Sequence, residues 1–142
     1  MKRPNLESFI WIILHLVVLA IIVFYTGQFF LPNYLIYSSI GLIVLGLIVL
    51  IAAKVAMGRV TVNIRPEKFI SSGIYSKIRH PIYLGIKMIF LGLALAFTSL
   101  LGLFFVIVIL FPYHIYRAIR EEKEMNIEFP SRYFNYKKRT WF

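Results

Sequence analysis

Two polar strings, separated by a long apolar stretch, carry the side chains that could do chemistry in this chain. The first ends in Arg79-His80-Pro81, and the second contains Glu121 and Glu122. Pro81 suits the first position of a helix, because its missing N–H costs nothing there. A helix N-terminus with Arg79 and His80 beside it predicts a site for a carboxylate or phosphate. The alternative is that Arg79 and His80 only anchor the helix at lipid headgroups.

The two adjacent glutamates have two interpretations. Neighbouring residues on a helix point about 100° apart, so one carboxylate can pair with Arg117 while the other faces a pocket. In a pocket, Glu121 or Glu122 could bind an ammonium group or the two hydroxyls of a ribose. The alternative is that both are solvated partners of nearby arginines.

Three further polar residues lie within apolar runs. Lys87 either extends back to the headgroups or faces a polar cavity. His15 and His114 are expected to form helix-to-helix hydrogen bonds, because neither has the clustered ligands that a metal requires. We therefore predict no metal site. The chain has no cysteine, which excludes disulfides and thiolate nucleophiles.

The composition is that of a membrane protein. Of the 142 residues, 60% are hydrophobic, well above the usual share for a soluble domain. We predict an all-α, polytopic membrane helix bundle of about four transmembrane helices, followed by a cytoplasmic C-terminal helix and tail. The four predicted spans are Phe9–Phe30, Tyr34–Ala56, Pro81–Phe97 and Leu103–Tyr116.

All sixteen lysines and arginines fall on one side of this four-span arrangement. They lie at Lys2–Arg3, between Lys54 and Lys87, and from Arg117 to Arg139. Because cytoplasmic loops retain positive charge, both termini and the polar segments are predicted to be cytoplasmic. The net charge of +10 then indicates contact with anionic lipid of the bilayer, and no nucleic-acid partner is predicted.

Turn residues divide the apolar runs. Leu31-Pro32-Asn33 is so short that the first two spans are predicted to form an antiparallel hairpin, with close approach at the small residues. Pro112 is predicted to kink the fourth span. Val60–Ile64 alternates in polarity and could form a short extended stretch. The small residues at which close approach is predicted all lie in the second span and are Ser38, Ser39, Gly41 and Gly46.

The order of several motifs resembles a known group. They are Gly73-Ile74-Tyr75, Arg79-His80-Pro81-x-Tyr83-x-Gly85, Arg120-Glu121-Glu122, and then Phe129, Tyr133 and Tyr136. Together they resemble the integral-membrane methyltransferases, the group of isoprenylcysteine carboxyl methyltransferases and phospholipid N-methyltransferases. The resemblance covers about Lys68–Arg139.

This resemblance implies a fold unit, a cofactor and a site. Residues 1–142 would form a single domain, in which 1–56 is the N-terminal helical hairpin and 57–142 is the cofactor-binding core. The cofactor would be S-adenosylmethionine. Catalytic roles are implied for Arg120, Tyr136 and Arg139, and the basic residue of the tail would hold an acidic acceptor. The residues implied to bind the cofactor are Tyr75, Arg79, His80, Pro81, Tyr83, Gly85, Glu121 and Glu122.

The implied reaction is direct, in-line methyl transfer to a lipophilic acceptor, which is lipidic or prenylated. The carboxylate of an isoprenylcysteine is one candidate. Two alternatives stay open at this point: a small NADPH-dependent membrane reductase of the sterol reductase type, and a non-catalytic membrane scaffold.

Overall fold

The computed structural model describes residues 6–58 and 70–141, without the side chains of Leu6 and Ser8. The all-α prediction is confirmed, since the described residues contain helices and no strand. The stretch Val60–Ile64 lies outside the described residues. The helices are α1 (Leu6–Phe24), α2 (Asn33–Gly58), α3 (Pro81–Ala96), α4 (Leu100–Phe105), α5 (Phe111–Glu128) and α6 (Pro130–Lys137), with a 3-10 turn at Gly73–Ser76 and a π-helical segment at Val106–Leu110.

Within residues 6–58 and 70–141, two helices are long and apolar enough to cross a membrane. They are α2, with 26 residues, and the continuous helix Leu100–Glu128, with 29 residues, whose apolar part ends at Tyr116. Two shorter apolar helices, Phe9–Phe24 and Pro81–Ala96, pack beside them. Large apolar side chains cover the outer faces, which is typical of helices in contact with lipid. Crossing of the bilayer by all four helices stays a prediction.

The first helix ends at Phe24, six residues before the predicted end at Phe30. The chain turns at Gly27, whose φ of +68° is readily adopted by glycine. The N–H of Gly27 donates to the carbonyl of Phe97 at 3.1 Å. The side chain of Gln28 accepts from the N–H of Leu101 at 2.9 Å. These contacts fasten the end of α1 to the α3–α4 turn.

The small residues of α2 pack against α3. A Cβ placed on Gly46 would lie 2.8 Å from the carbonyl oxygen of Gly85, and a Cβ on Gly92 would lie 2.8 Å from that of Ser39. The close approach predicted from these residues is therefore present, but the neighbour is α3. A Cβ placed on Gly41 would meet no atom of another element within 4 Å, and α1 packs mainly against α4.

A π-helical segment accommodates Pro112 in the last long helix. Proline lacks an N–H and its ring clashes with the carbonyl four residues earlier, so a regular α-helix cannot pass through it. Here the N–H of Phe111 bonds to the carbonyl of Val106, five residues back. The helix also begins earlier than Leu103, because the hydroxyl of Ser99 accepts from the N–H of Gly102.

Two histidines join α1 to α5. Nε2 of His15 and Nε2 of His114 lie 3.0 Å apart, which confirms the predicted helix-to-helix hydrogen bond. Nδ1 of His15 donates to the carbonyl of Trp11, so His114 must donate to His15. Lys87 is half-buried with its ammonium 5.5 Å from the centre of the Phe111 ring, a cation–π contact.

Candidate active site

The start of α3 lies against the polar end of α5. Pro81 is the first residue of α3 and His80 occupies the N-cap, as predicted. No side chain of the described residues caps this first turn. The rings of His80 and Tyr83 stack at 5.8 Å, and Tyr83 stacks on His114 at 5.2 Å. The histidine pair of the core thus supports the ring that lies beside His80.

Glu122 is the centre of a cationic cluster. Its carboxylate lies 3.0 Å from Nη1 of Arg79, 3.4 Å from Nε2 of His80 and 2.8 Å from Nζ of Lys137. Burial alone would raise the pKa of Glu122, but the hydrogen bond from Lys137 and the charge of Arg79 outweigh it and lower the pKa. Glu122 is therefore ionised at neutral pH.

Glu121 lies on the other side of His80. It accepts a hydrogen bond from the hydroxyl of Tyr83, and its carboxylate lies 3.7 Å from Arg117 and 3.8 Å from Nδ1 of His80. His80 therefore stands between two carboxylates. Burial lowers the pKa of His80 and is only partly opposed by Glu121 and Glu122, so the imidazole is neutral at pH 7.

A cavity of about 530 Å³ opens between these elements. This volume lies within the range of small-molecule sites. Charged groups occupy one region of its wall, and aromatic and aliphatic side chains form the rest. The lining consists of Trp11, Ile12, Met57, Ile70, Tyr75, Arg79, His80, Pro81, Ile82, Tyr83, Arg117, Glu121, Glu122, Met125, Tyr133 and Tyr136.

Arg79 has hydrogen-bonding capacity that the described residues do not use. Its side chain is only 16% exposed, and its Nε and Nη1 atoms are buried without a hydrogen-bond acceptor. The 3.0 Å contact with Glu122 is thus an ion pair in which Nη1 makes no well-directed hydrogen bond. Buried donors without acceptors are costly, so these atoms favour an anionic ligand in the cavity.

The C-terminal tail closes one side of the site. The hydroxyl of Tyr136 donates to the carbonyl of Tyr75 at 2.7 Å. Two backbone hydrogen bonds then join Trp141 to the stretch before α3. The N–H of Trp141 donates to the carbonyl of Lys77, and the N–H of Arg79 donates to the carbonyl of Trp141. Burial raises the pKa of Tyr136 to about 12, so its phenol stays a neutral donor.

Eight predicted site residues line the cavity, and three do not. Gly85 packs against Leu50 and Gly46 of α2, so its small size serves helix contact. Arg120 is exposed and pairs with Glu7 and Glu124. Arg139 is exposed and its Nε donates to a backbone carbonyl on α6. The eight are Tyr75, Arg79, His80, Pro81, Tyr83, Glu121, Glu122 and Tyr136.

Eight of the lining residues are not among the predicted site residues, and the two that show most clearly why are Tyr133 and Trp11. Tyr133 lies three positions before Tyr136 on the same face of α6, and this i, i+3 spacing could have indicated it. Burial raises the pKa of Tyr133 to about 12. Trp11 comes from α1, and nothing in the sequence indicates that α1 reaches the site.

Comparison with known proteins agrees with the motifs. A family model described as phospholipid methyltransferase matches residues 27–132, which is more than half of the chain. No curated protein and no solved structure matches. The matched region includes both polar strings, and it confirms the resemblance to integral-membrane methyltransferases. The chain belongs to the phospholipid methyltransferase family.

Proposed function

We propose that this protein is an integral membrane, S-adenosylmethionine-dependent methyltransferase that acts on a lipidic acceptor. The observation that carries the proposal is the convergence of Arg79, His80, Glu121 and Glu122 in one cavity with tyrosine walls. The family description names a methyltransferase of phospholipids, which favours this function over a reductase or a scaffold.

The cavity has partners for each polar part of S-adenosylmethionine. The unused donors of Arg79 and the uncapped first turn of α3 suit its carboxylate. Glu121 and Glu122 suit its ammonium group and ribose hydroxyls. The tyrosine rings suit its adenine and sulfonium. When bound, S-adenosylmethionine supplies an activated methyl group.

The residues of the site then have three tasks. Arg79 and the two glutamates fix the orientation of the donor, which supplies catalysis through positioning. The tail, held by Tyr136 on Tyr75, excludes water from that side. An amine acceptor must also lose a proton, and neutral His80 is the side chain suited to accept it. A carboxylate acceptor, such as an isoprenylcysteine, needs no such base.

The location of the site supports a lipidic acceptor. The cavity lies where the apolar parts of α3 and α5 meet the polar segments, and apolar side chains such as Ile12 and Ile82 form part of its wall. The excess of positive charge in these segments supports a multi-pass topology with the site at the cytoplasmic surface. A lipid would then enter sideways from the bilayer.

Methyl transfer can be tested directly. Purified protein in lipid nanodiscs is incubated with methyl-labelled S-adenosylmethionine and mixed phospholipids, and label in the extracted lipid is counted. We expect label with wild type and a loss of at least about ten-fold with His80→Ala. Wild-type protein that neither binds S-adenosylmethionine nor labels lipid would exclude the proposed function.

A further inference from the structure

Trp11, a residue of α1 that lines the cavity, carries a hydrogen-bond donor without an acceptor. Its Nε1 atom is buried and meets no acceptor among residues 6–58 and 70–141. A buried N–H without a partner costs free energy, so an acceptor atom of a ligand is expected to fill it. Neither the motifs nor the family match, which begins at residue 27, assigns a role to this residue.

The indole of Trp11 is held in place by the histidine pair of the core. The ring centroids of Trp11 and His15 lie 4.3 Å apart. Nδ1 of His15 donates to the carbonyl of Trp11 at 2.6 Å, and Nε2 of His15 accepts from His114. Because both nitrogens of His15 are used in this way, the imidazole cannot accept from the indole. It fixes the ring and leaves the indole N–H for a ligand.

The contacts between α1 and α5 give the depth of Trp11 in the bundle. Glu7 pairs with Arg120 near the start of α1, and His15 meets His114 eight positions later. The two helices therefore run antiparallel, and Trp11 lies midway between these two contacts. Four residues of helix rise about 6 Å, so the indole lies about 6 Å beyond the Glu7–Arg120 pair, toward the apolar part of the bundle.

The wall around this donor is apolar. Ile12 follows Trp11 in α1 and lines the cavity, as do Met57 and Ile82. The unused donors of Arg79 suit an anion, because charge-assisted hydrogen bonds are the stronger ones. A single neutral N–H in an apolar wall instead suits a neutral acceptor, such as a carbonyl oxygen.

A glycerolipid carries such an acceptor at this depth. Its ester carbonyls lie between the phosphate and the acyl chains, so they lie deeper in the bilayer than the headgroup. Tryptophan is enriched at this interfacial level, because its indole is apolar and carries one N–H. A lipid that enters from the bilayer with its headgroup at the charged end of the cavity brings its carbonyls toward the apolar wall.

We propose that Trp11 donates a hydrogen bond to an ester carbonyl of the lipid acceptor and thereby selects ester-linked glycerolipids over ether-linked ones. The inference rests on the proposed function, since it names the class of acceptor that the same cavity takes. A dialkyl ether of the same length has no carbonyl and leaves the buried N–H without its partner. The prenyl chain of an isoprenylcysteine has no carbonyl either, so it is disfavoured for the same reason.

Two lipids that differ only in the linkage of their chains test the contact. Dihexanoyl glycerophosphoethanolamine, a diester, and its dihexyl diether are titrated into purified protein in detergent. Wild type should bind the diester about three- to ten-fold more tightly. Trp11→Phe, which keeps an aromatic ring and removes the N–H, should bind both lipids equally. The control Trp141→Phe should keep the preference, because Trp141 is 80% exposed and does not line the cavity.

The control variant also allows a measurement that leaves Trp11 intact. The chain has two tryptophans, so Trp11 is the only one left in Trp141→Phe. An indole whose N–H donates a hydrogen bond emits at longer wavelength, so the diester should shift the fluorescence further to the red than the diether does. Equal emission with both lipids would overturn the inference, even if Trp11→Phe did not fold.

The binding data can contradict the ester contact in three ways. Wild type that binds diester and diether equally has no contact that depends on the carbonyl. Equal weakening of both lipids by Trp11→Phe would mean that the N–H contacts a group they share, such as the phosphate. S-adenosylmethionine affinity should stay within about two-fold of wild type in both variants, and a larger loss in Trp11→Phe would assign the donor to the cofactor.

The same titrations separate this inference from the proposed function. Wild type that prefers the diester through Trp11 but does not bind S-adenosylmethionine contradicts the proposed function and leaves the ester contact standing. Wild type that binds S-adenosylmethionine but shows no preference between the two lipids contradicts the ester contact alone.

Discussion

His80 at the start of α3 and Glu122 near the end of α5 lie 3.4 Å apart, although 42 positions separate them in the chain. The contact exists because α3, α4 and the π-helical segment form a helical hairpin that returns the chain to the same end of the bundle. Arg79 and Lys137 approach the same carboxylate from two other elements. One side chain thus joins the two polar strings and the tail.

The glycine contact between α2 and α3 predicts a sharp difference between two substitutions. Gly85→Ala should destabilise the protein by about 1–3 kcal/mol, because its Cβ would lie 2.8 Å from a backbone oxygen of Gly46 and the helices would have to separate. Gly41→Ala should be neutral or stabilising, since its Cβ meets no atom within 4 Å and alanine favours helix. Thermal unfolding in detergent measures both. Equal destabilisation would contradict the packing.

The histidine pair predicts non-additive effects. His15→Phe and His114→Phe should each destabilise the protein, because each leaves the other imidazole buried without its 3.0 Å partner. The double variant should cost less than the sum, with a coupling free energy of about 0.5–1.5 kcal/mol. A double-mutant cycle on unfolding free energies measures this. Strict additivity would show that the hydrogen bond contributes nothing.

Much of the fold could be predicted from the sequence, because apolar runs of this length form helices and proline marks their ends. The residue at which α1 ends could not be predicted, since the turn at Gly27 depends on hydrogen bonds to the distant α3–α4 turn. The helix that packs against α2 could not be predicted either. Small residues indicate that a helix approaches closely, but not which helix it is.

The site shows the same division. The order of the motifs predicted that two separated strings contribute to one site, and residues of both strings line the same cavity. Their roles in cofactor binding and catalysis stay predictions. Gly85 was assigned to the cofactor, yet it packs against α2, since a motif does not show whether a glycine serves a ligand or a helix contact. Trp11 was missed because only the tertiary fold brings α1 to the cavity.

The pKa of His80 predicts a loss of stability on acidification. In the unfolded chain the imidazole takes up a proton near its ordinary pKa of 6.5, whereas burial lowers the pKa in the folded state. Stability is therefore full above about pH 6.5 and declines as the pH falls below it, by at most about 1.4 kcal/mol per unit. Glu122 contributes stability that is lost only at lower pH, since its folded pKa lies below 4.5.

Unfolding temperatures of wild type and His80→Asn between pH 7.5 and 5.5 measure this. The unfolding temperature of the variant should fall less steeply with pH, because the variant lacks His80, whose burial disfavours protonation. The other two histidines, His15 and His114, are present in both proteins. If the unfolding temperatures of the two proteins fell equally over this pH range, the lowered pKa of His80 would be contradicted.

The hydroxyl of Tyr136 predicts a role for the tail in cofactor binding. Tyr136→Phe removes the 2.7 Å hydrogen bond to the carbonyl of Tyr75 and leaves the ring in place. We expect S-adenosylmethionine to bind about three- to ten-fold more weakly, because the tail then holds less firmly to the wall of the cavity. The control variant is Tyr34→Phe, because Tyr34 is exposed and lies at the start of α2. If the two variants bound S-adenosylmethionine with equal affinity, the tail would be shown not to contribute to cofactor binding.

Calorimetric titration of S-adenosylmethionine into wild type, Glu122→Ala and Glu128→Ala tests the central claim most directly. Glu122 contacts Arg79, His80 and Lys137 and lines the cavity, whereas Glu128 is exposed and does not line it. We expect wild type and Glu128→Ala to bind with equal affinity and Glu122→Ala to bind at least about ten-fold more weakly, with both variants still folded. Equal affinity in all three proteins would contradict it.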